Sequence, residues 1–449
     1  MAVDSINIWV RKGDAGEAQV QLFAPDLSRV ISSSSCTMDP ARDYSCVLHI
    51  DGLLESTNYF YSLSVANWSN MARLHTLHRN EASLVFGSCN HQSGVTHGVF
   101  SAISDSKPDL FLSLGDFIYA DLTQDVLPTE DVEYPGLSSD SFDMKAIHNH
   151  LLQKHRTAFS SPYIHPMLSS VPMVGIWDDH ELINDFDSSR LELLAPAFDA
   201  FSSYMGSLGP NAESRLRQGQ LYFNMSVGPM DLFVLDSRSF RGPLSEAQSP
   251  GKVHFGAEQE AALETFIQGS TAPFLVIASS VMWNDCGEFA LNNKREPLLD
   301  AHWRYRDARA RIFAALDKLP QHKQILLLSG DAHWPTVAKI TLLSGRVIHE
   351  VSVSPLDGFA LPYPERTVCE SDGVASELIF LPEEASWPKK WPRKQKHVQV
   401  VSYYGQILAD KMSNRLTVRI VSVENSVKQI VWQNVFGETF QSQDNIVIL

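Results

Sequence analysis

The sequence predicts a mixed α/β (α+β) protein: a small β-sandwich over residues 1–80, then a layered α/β domain over residues 81–449 that ends in further strands. Three observations predict it. The first 80 residues alternate apolar and polar positions in short runs separated by Ser, Asp and Gly, the pattern of half-buried strands. Beyond residue 80 the runs become continuously apolar and end in polar residues, as strands covered on both faces do. Stretches of helical length and spacing lie between those runs, and alternating strand and helix builds a layered core.

The alternating runs are Asn7–Val10, Ala18–Phe23, Tyr44–Ile50 and Tyr59–Val65. Their length and spacing suit a small sandwich. Leu53, Thr57, Tyr59 and Tyr61 are similar to the Leu, Thr, Tyr, Tyr pattern of fibronectin-III-like domains. The break falls near Leu77–Asn80. Buried strands are expected at Leu84–Cys89, Leu110–Asp116, Met173–His180, Leu232–Arg238, Phe274–Ser280 and Ile325–His333. Helices are expected over Phe142–Phe159, Ala257–Ile267 and Arg304–Leu316. Short strands return at Val398–Tyr404 and Leu416–Val421.

Composition narrows the function. The chain of 449 residues is 44% hydrophobic and 20% charged, typical of a globular protein. Its net charge is 36 − 52 = −16, which argues against specific nucleic-acid binding, since that needs a basic stripe. An anionic substrate remains compatible, because bound cations invert the field locally. No run approaches the roughly 20 apolar residues of a membrane span. The first residues show no secretory signal, so the reading leans to the cytoplasm, with a secreted mature form as the alternative. Five cysteines, Cys36, Cys46, Cys89, Cys286 and Cys369, make a poor disulfide framework. Cys36 and Cys46 could pair or stay free. Asn67-Trp-Ser and Asn224-Met-Ser fit the glycosylation pattern, a weak signal.

Open α/β sheets bind ligands beyond the carboxyl ends of their strands. Four such ends here carry groups that can hold metal: Ser88-Cys89-Asn90, Gly115-Asp116 with Tyr119, Asp178-Asp179-His180-Glu181, and Gly330-Asp331 with His333. Gly115 permits a tight turn from which Asp116 projects. Tyr119 could bring a phenolate to the same ion. Asn184 offers a carbonyl oxygen, and Asp331 and His333 share a side if the chain stays extended. Each group has an ordinary reading as a turn residue, a packed aromatic, a solvated charge or, for Cys89, a small buried apolar residue. Cys89 could equally be a ligand or a nucleophile.

The ordered set Gly87–Cys89, Gly115–Asp121, Trp177–Glu181, Leu235–Arg238 and Ser329–His333 resembles the PhoD-like alkaline phosphatases of the metallophosphoesterase superfamily. Gly256–Gln259 and Trp303–Arg311 extend the resemblance, which covers roughly residues 1–410. It implies an αββα metallophosphoesterase sandwich and hydrolysis of phosphomonoesters or phosphodiesters by a metal-activated hydroxide. It implies Fe3+ and Ca2+, with other divalent metals open. By carry-over, Cys89, Asp116, Tyr119 and His333 hold iron, while Asp116, Asp331 and either Asp179 or Asn184 hold calcium. His180 would stand near the leaving group, and Arg238, with Arg241 beside it, would face the phosphate. The substrate would be a small phosphate ester or a lipid headgroup. Loops 122–143 and 284–302 are expected over the site, and the strands after Lys411 have no match. A purple-acid-phosphatase-like enzyme is the alternative, although its Asn-His pair and Asp-x-Gly motif are replaced here by Asp179-His180 and Ser88-Cys89-Asn90. A metal-containing binding protein without turnover is the third reading.

Overall fold

The computed structural model describes residues 4–65, 68–91, 98–121, 142–247, 249, 251–286, 288–291, 294–297, 301–359, 367–382, 400–424 and 426–436. Most of loop 122–143, part of loop 284–302, and Asn67 lie outside them.

The alternating N-terminal runs form β1 (Ile6–Arg11), β2 (Glu17–Phe23), β3 (Val30–Thr37), β4 (Ser45–Ile50), β5 (Asn58–Val65) and β6 (Trp68–His75). β1 pairs with β4, and a second sheet runs β3-β2-β5-β6. The inward positions of both sheets, including Val10, Ala18, Val20, Leu22, Leu48, Ile50 and Tyr59, share one core. Strict alternation in β2 puts Ala18, Val20 and Leu22 inside and Glu17, Gln19 and Gln21 outside. The Tyr59 hydroxyl accepts a hydrogen bond from Leu54 N at 2.8 Å, pinning the turn before β5.

The chain continues through β7 (Glu81–Gly87), α1 (Gly98–Asp105), β8 (Leu110–Leu114), α2 (Met144–Ser160), α3 (His165–Leu168) and β9 (Met173–Ile176). Then come α4 (Leu194–Ser203), α5 (Ala212–Arg217), β10 (Phe223–Val227), β11 (Met230–Val234), α6 (Ala257–Gly269), β12 (Phe274–Ala278), β13 (Glu288–Leu291), β14 (Lys294–Pro297) and α7 (Arg306–Asp317). The last elements are β15 (Gln324–Ser329), β16 (Thr336–Thr341), β17 (Val347–Ser352), β18 (Gly358–Phe359), β19 (Val368–Ser371), β20 (Val374–Phe380), β21 (Val400–Val401), β22 (Tyr403–Asp410), β23 (Arg415–Glu424) and β24 (Val427–Phe436).

Two large mixed sheets result. One runs β24-β23-β22-β7-β8-β9, with β7, β8 and β9 parallel. The other runs β10-β11-β12-β15-β17-β16-β20-β19, with β11, β12, β15 and β17 parallel. Leu84, Phe86, Val174 and Ile176 of the first sheet and Leu232, Val276 and Leu328 of the second belong to one core, so the sheets are packed across it. The alternate positions Phe233, Leu275 and Leu327 face Leu263, Ile267, Ile312 and Leu316 of α6 and α7. The strands after Lys411 that had no match prove to be β23 and β24, which extend the first sheet.

Local chemistry starts the helices where expected. The Asp143 carboxylate caps α2, accepting from Lys145 N at 3.1 Å and Ala146 N at 3.0 Å. Glu258 and Glu260 sit in the first turn of α6, where the helix dipole favours anions. The segment expected as one helix from Arg304 begins instead as a 3-10 turn, His302–Tyr305, before α7.

The cysteine reading needs correcting. Cys36 pairs with Cys46, and Cys286 with Cys369, while Cys89 is free and buried. The second pair joins residues 83 apart, brought together only by the fold. By loop entropy, losing the Cys286–Cys369 link should cost about 4–5 kcal/mol and the Cys36–Cys46 link about 3 kcal/mol. Urea denaturation of Cys→Ser pairs checks this; equal losses would contradict the loop-length account.

A pH response is also built in. His155 of α2 is fully buried, stacked on Tyr204 with ring centroids 5.1 Å apart. Burial lowers its pKa to about 3, against a weaker upward pull from Asp43. The unfolded chain therefore takes a proton near pH 6.5 that the folded chain refuses until about pH 3. Stability should fall as pH drops through that window, by at most about 1.4 kcal/mol per pH unit from this group. His155→Gln should flatten the profile; an unchanged acid slope would remove His155 as a source.

Candidate metal centre

Five strand ends converge at one end of the two packed sheets. β7, β8 and β9 lead into Cys89, Asp116 and Asp178–Glu181, and β11 and β15 lead into Arg238 and Asp331–His333. The approach is close because the turns are glycine. A Cβ on Gly115 would lie 2.4 Å from the Asp178 Cβ, and one on Gly330 would lie 2.1 Å from the Ser88 Oγ. Ser88 Oγ accepts from Asp331 N at 3.1 Å, which ties the two sheets at the site. Cys89, Asp116, Asp331 and His333 all adopt left-handed backbone, with φ between 51° and 63°. Such strain persists only where surroundings over-determine it, and it clusters at functional sites.

The sequence-predicted groups separate into overlapping sets. Cys89, Asp116 and His333 place donor atoms within 4.8 Å of one another, as do Asp116, Asp179 and His180, and also Asp116, Asp178, Asp179 and Asp331. Asp116 is common to all three. Its Oδ1 accepts from His180 N at 3.2 Å, whereas its fully buried Oδ2 has no hydrogen-bond partner in the protein. Tyr119 joins the first set, its hydroxyl 3.2 Å from His333 Nε2. Asn184 is exposed, and its backbone N–H donates to Asp121 at 2.8 Å. Asp331 is half-buried, unlike most of the cluster.

Residues beyond the predicted ligands hold the arrangement. Glu181 accepts from Asp116 N at 2.9 Å, Phe117 N at 2.7 Å and Asp178 N at 2.8 Å, locking the ends of β8 and β9 together. Burial raises its pKa to about 7 despite those bonds. Asp121 accepts from His180 Nδ1 at 2.7 Å, leaving Nε2 as the other ring nitrogen. Asp236 accepts from Trp177 Nε1 at 2.9 Å and Arg238 N at 3.1 Å, bridging the sheets behind the site. Arg238 is fully buried, pairs through Nε with Asp178, and lies 3.6 Å from Asp179. The sequence signals for Asp121, Asp178, Glu181 and Asp236 were available inside the motif runs.

The electrostatics show what would let these groups ionise together. Burial pushes the Cys89 thiol and the Tyr119 phenol well above their ordinary ranges, and the Asp116 carboxylate adds to both. Burial likewise raises Asp116, against the opposing pull of His180. Burial would raise Asp179 too, but Arg238 and His180 hold it well below the usual carboxylate range. His180 is lowered by burial, yet Asp121, Asp179 and Asp116 outweigh that and push it well up. A thiol, a phenol and four carboxylates packed out of water need positive charge to ionise together. The donor set and the open Asp116 Oδ2 therefore fit bound cations.

The chain is similar to known proteins. Residues 84–420 match the family model described as PhoD-like phosphatase. Over 339 residues the chain is 23% identical to alkaline phosphatase D of Bacillus subtilis (strain 168), covering 68% of this chain and 56% of that relative's length. A solved structure titled "Structure of PhoD" superposes with a TM-score of 0.69 at 16% identity, covering 97% of this chain and 87% of that one. That likeness shows a shared fold.

Proposed function

Because the chain belongs to the PhoD-like phosphatase family, we propose that it hydrolyses phosphomonoesters or phosphodiesters at a two-part metal centre on its converging strand ends. The observation that carries this reading is Asp116, shared by every candidate ligand group and presenting a buried, unpartnered carboxylate oxygen. The family match leaves the purple-acid-phosphatase-like alternative without support.

The donors divide by chemistry. Cys89, Asp116, Tyr119 and His333 form a mixed S, O and N set suited to ferric iron. Asp116, Asp179 and Asp331, with Asp178 beside them, form an oxygen set suited to calcium or another hard divalent ion. Asp179 is preferred over the exposed Asn184 as ligand. Bound cations would supply Lewis acidity, lowering the pKa of a water and offsetting charge on the phosphoryl oxygens. Arg238, fixed by Asp178 and by the Asp236 brace, presents a charge that stays positive at any working pH. Asp121 holds the His180 ring through Nδ1, which leaves Nε2 as the nitrogen that would protonate a leaving group as general acid.

We read the layering as the αββα arrangement and residues 1–80 as a separate fibronectin-III-like domain. Small phosphate esters and lipid headgroups both suit the chemistry. Two disulfides suit an oxidising compartment better than the cytoplasm. No helix of the described residues is long and apolar enough to cross a membrane. The test pairs metal analysis with hydrolysis of chromogenic mono- and diesters on one sample. Turnover of either ester is expected; full metal occupancy without turnover would leave only a metal-containing binding protein.

A further inference from the structure

The Tyr119–Asp121 segment carries two groups of the centre, the phenol of Tyr119 and the carboxylate of Asp121, yet it belongs to no helix or strand. Three hydrogen bonds hold its backbone. Ala120 N donates to His180 O at 2.8 Å. Lys154 Nζ donates to Tyr119 O at 2.7 Å, and His150 Nε2 donates to Ala120 O at 2.6 Å. Lys154 and His150 lie one turn apart on α2, so one face of that helix grips two successive carbonyls.

The opposite face of α2 is anchored elsewhere. Arg156 pairs with the buried Asp43, its Nε 2.9 Å and its Nη2 2.5 Å from the carboxylate, and Arg11 Nε reaches the same group at 2.8 Å. Trp9 of β1 packs on Phe159 and Tyr204, with centroids 5.5 Å and 5.3 Å apart. α2 is thus held between the N-terminal strands and the loop that carries Tyr119.

We propose that Lys154 is a positioning residue for the metal centre: its ammonium fixes the Tyr119 carbonyl and thereby sets where the Tyr119 phenol and the Asp121 carboxylate stand. An apolar side chain could fill the same space without the cost of burying an ammonium, but the Tyr119 carbonyl would lose its partner. A charged donor also makes a stronger bond to that carbonyl than a neutral one. Lys154 acts on the centre through the backbone of Tyr119. The inference rests on the proposed metal centre, not on the identity of the ester.

The test strips the full-length protein with a chelator and titrates it with Co2+, whose absorption reports the geometry of a thiolate- and phenolate-containing ligand set. Lys154→Met should weaken Co2+ binding by roughly 10–100-fold, the usual cost of losing an outer support of a metal site. The cobalt spectrum should change while circular dichroism stays native, and Lys154→Arg should restore both affinity and spectrum. If Lys154→Met does not fold, Lys154→Gln carries the test, with weakened binding again expected. Wild-type cobalt affinity and spectrum in the uncharged variant would overturn the proposal, as would a Lys154→Arg protein as defective as Lys154→Met. Failure of the wild type to cleave any phosphate ester would sink the phosphatase reading and leave the cobalt comparison standing.

Discussion

Asp116→Asn should lower turnover by roughly a thousandfold, about 4 kcal/mol of transition-state stabilisation, while the protein still folds. Asparagine keeps the shape and can still accept the His180 N–H that Asp116 Oδ1 accepts now. It replaces the second oxygen by an amide or withdraws its charge, so the buried atom that has no protein partner ceases to be an anionic ligand. Because all three candidate ligand groups include this residue, both halves of the centre should lose affinity together. Metal analysis and kcat on the same sample check it. Wild-type turnover with unchanged metal content would refute a bridging role; loss of one metal alone would confine Asp116 to one half.

Arg238→Met should destabilise the metal-free protein by about 3–5 kcal/mol, the usual result of removing one partner from a buried ion pair. The guanidinium is fully buried against Asp178 and within 3.6 Å of Asp179. Its loss strands both carboxylates without that charge. Cations bound at those carboxylates would replace it, so metal loading should recover more stability in the variant than in the wild type. Activity should not recover: kcat/KM should stay about a hundredfold or more below wild type. Lysine should not substitute, since it lacks the planar fork that spans two acceptors. Denaturation with and without metal, combined with kcat/KM, separates the two effects. Unchanged stability in metal-free Arg238→Met would show that the pair contributes nothing, and recovery of activity with metal would remove Arg238 from the reaction.

Much of this centre was legible before the structure. Continuous apolar runs ending in Cys89, Asp116, Asp179 and Asp331 implied buried parallel strands, and the carboxyl ends of such strands are where ligands bind. The helices over Met144–Ser160 and Ala257–Gly269 also lie close to where length and spacing put them. What stayed hidden depends on tertiary pairing. Asp121 reaches His180 across 59 positions, and Cys286 meets Cys369 across 83. Neither separation leaves a local periodic trace. At the turn after β9, Asp179 is buried and Asn184 exposed, a difference that neighbouring polar positions do not reveal in sequence. The brace of Glu181 was masked for another reason: within a run of four polar residues, a carboxylate that binds backbone N–H groups reads the same as one that could bind metal.

The left-handed backbone at Cys89, Asp116, Asp331 and His333 sets stability against chemistry in this protein. Glycine at any of the four would relieve a conformation that costs side-chain-bearing residues on the order of 1–3 kcal/mol, and would delete a donor in the same step. A library screened for heat tolerance alone, with no demand for turnover, should therefore enrich glycine at these positions early. Directed evolution toward thermostability would hollow out the centre first and leave a sturdier scaffold with nothing to catalyse.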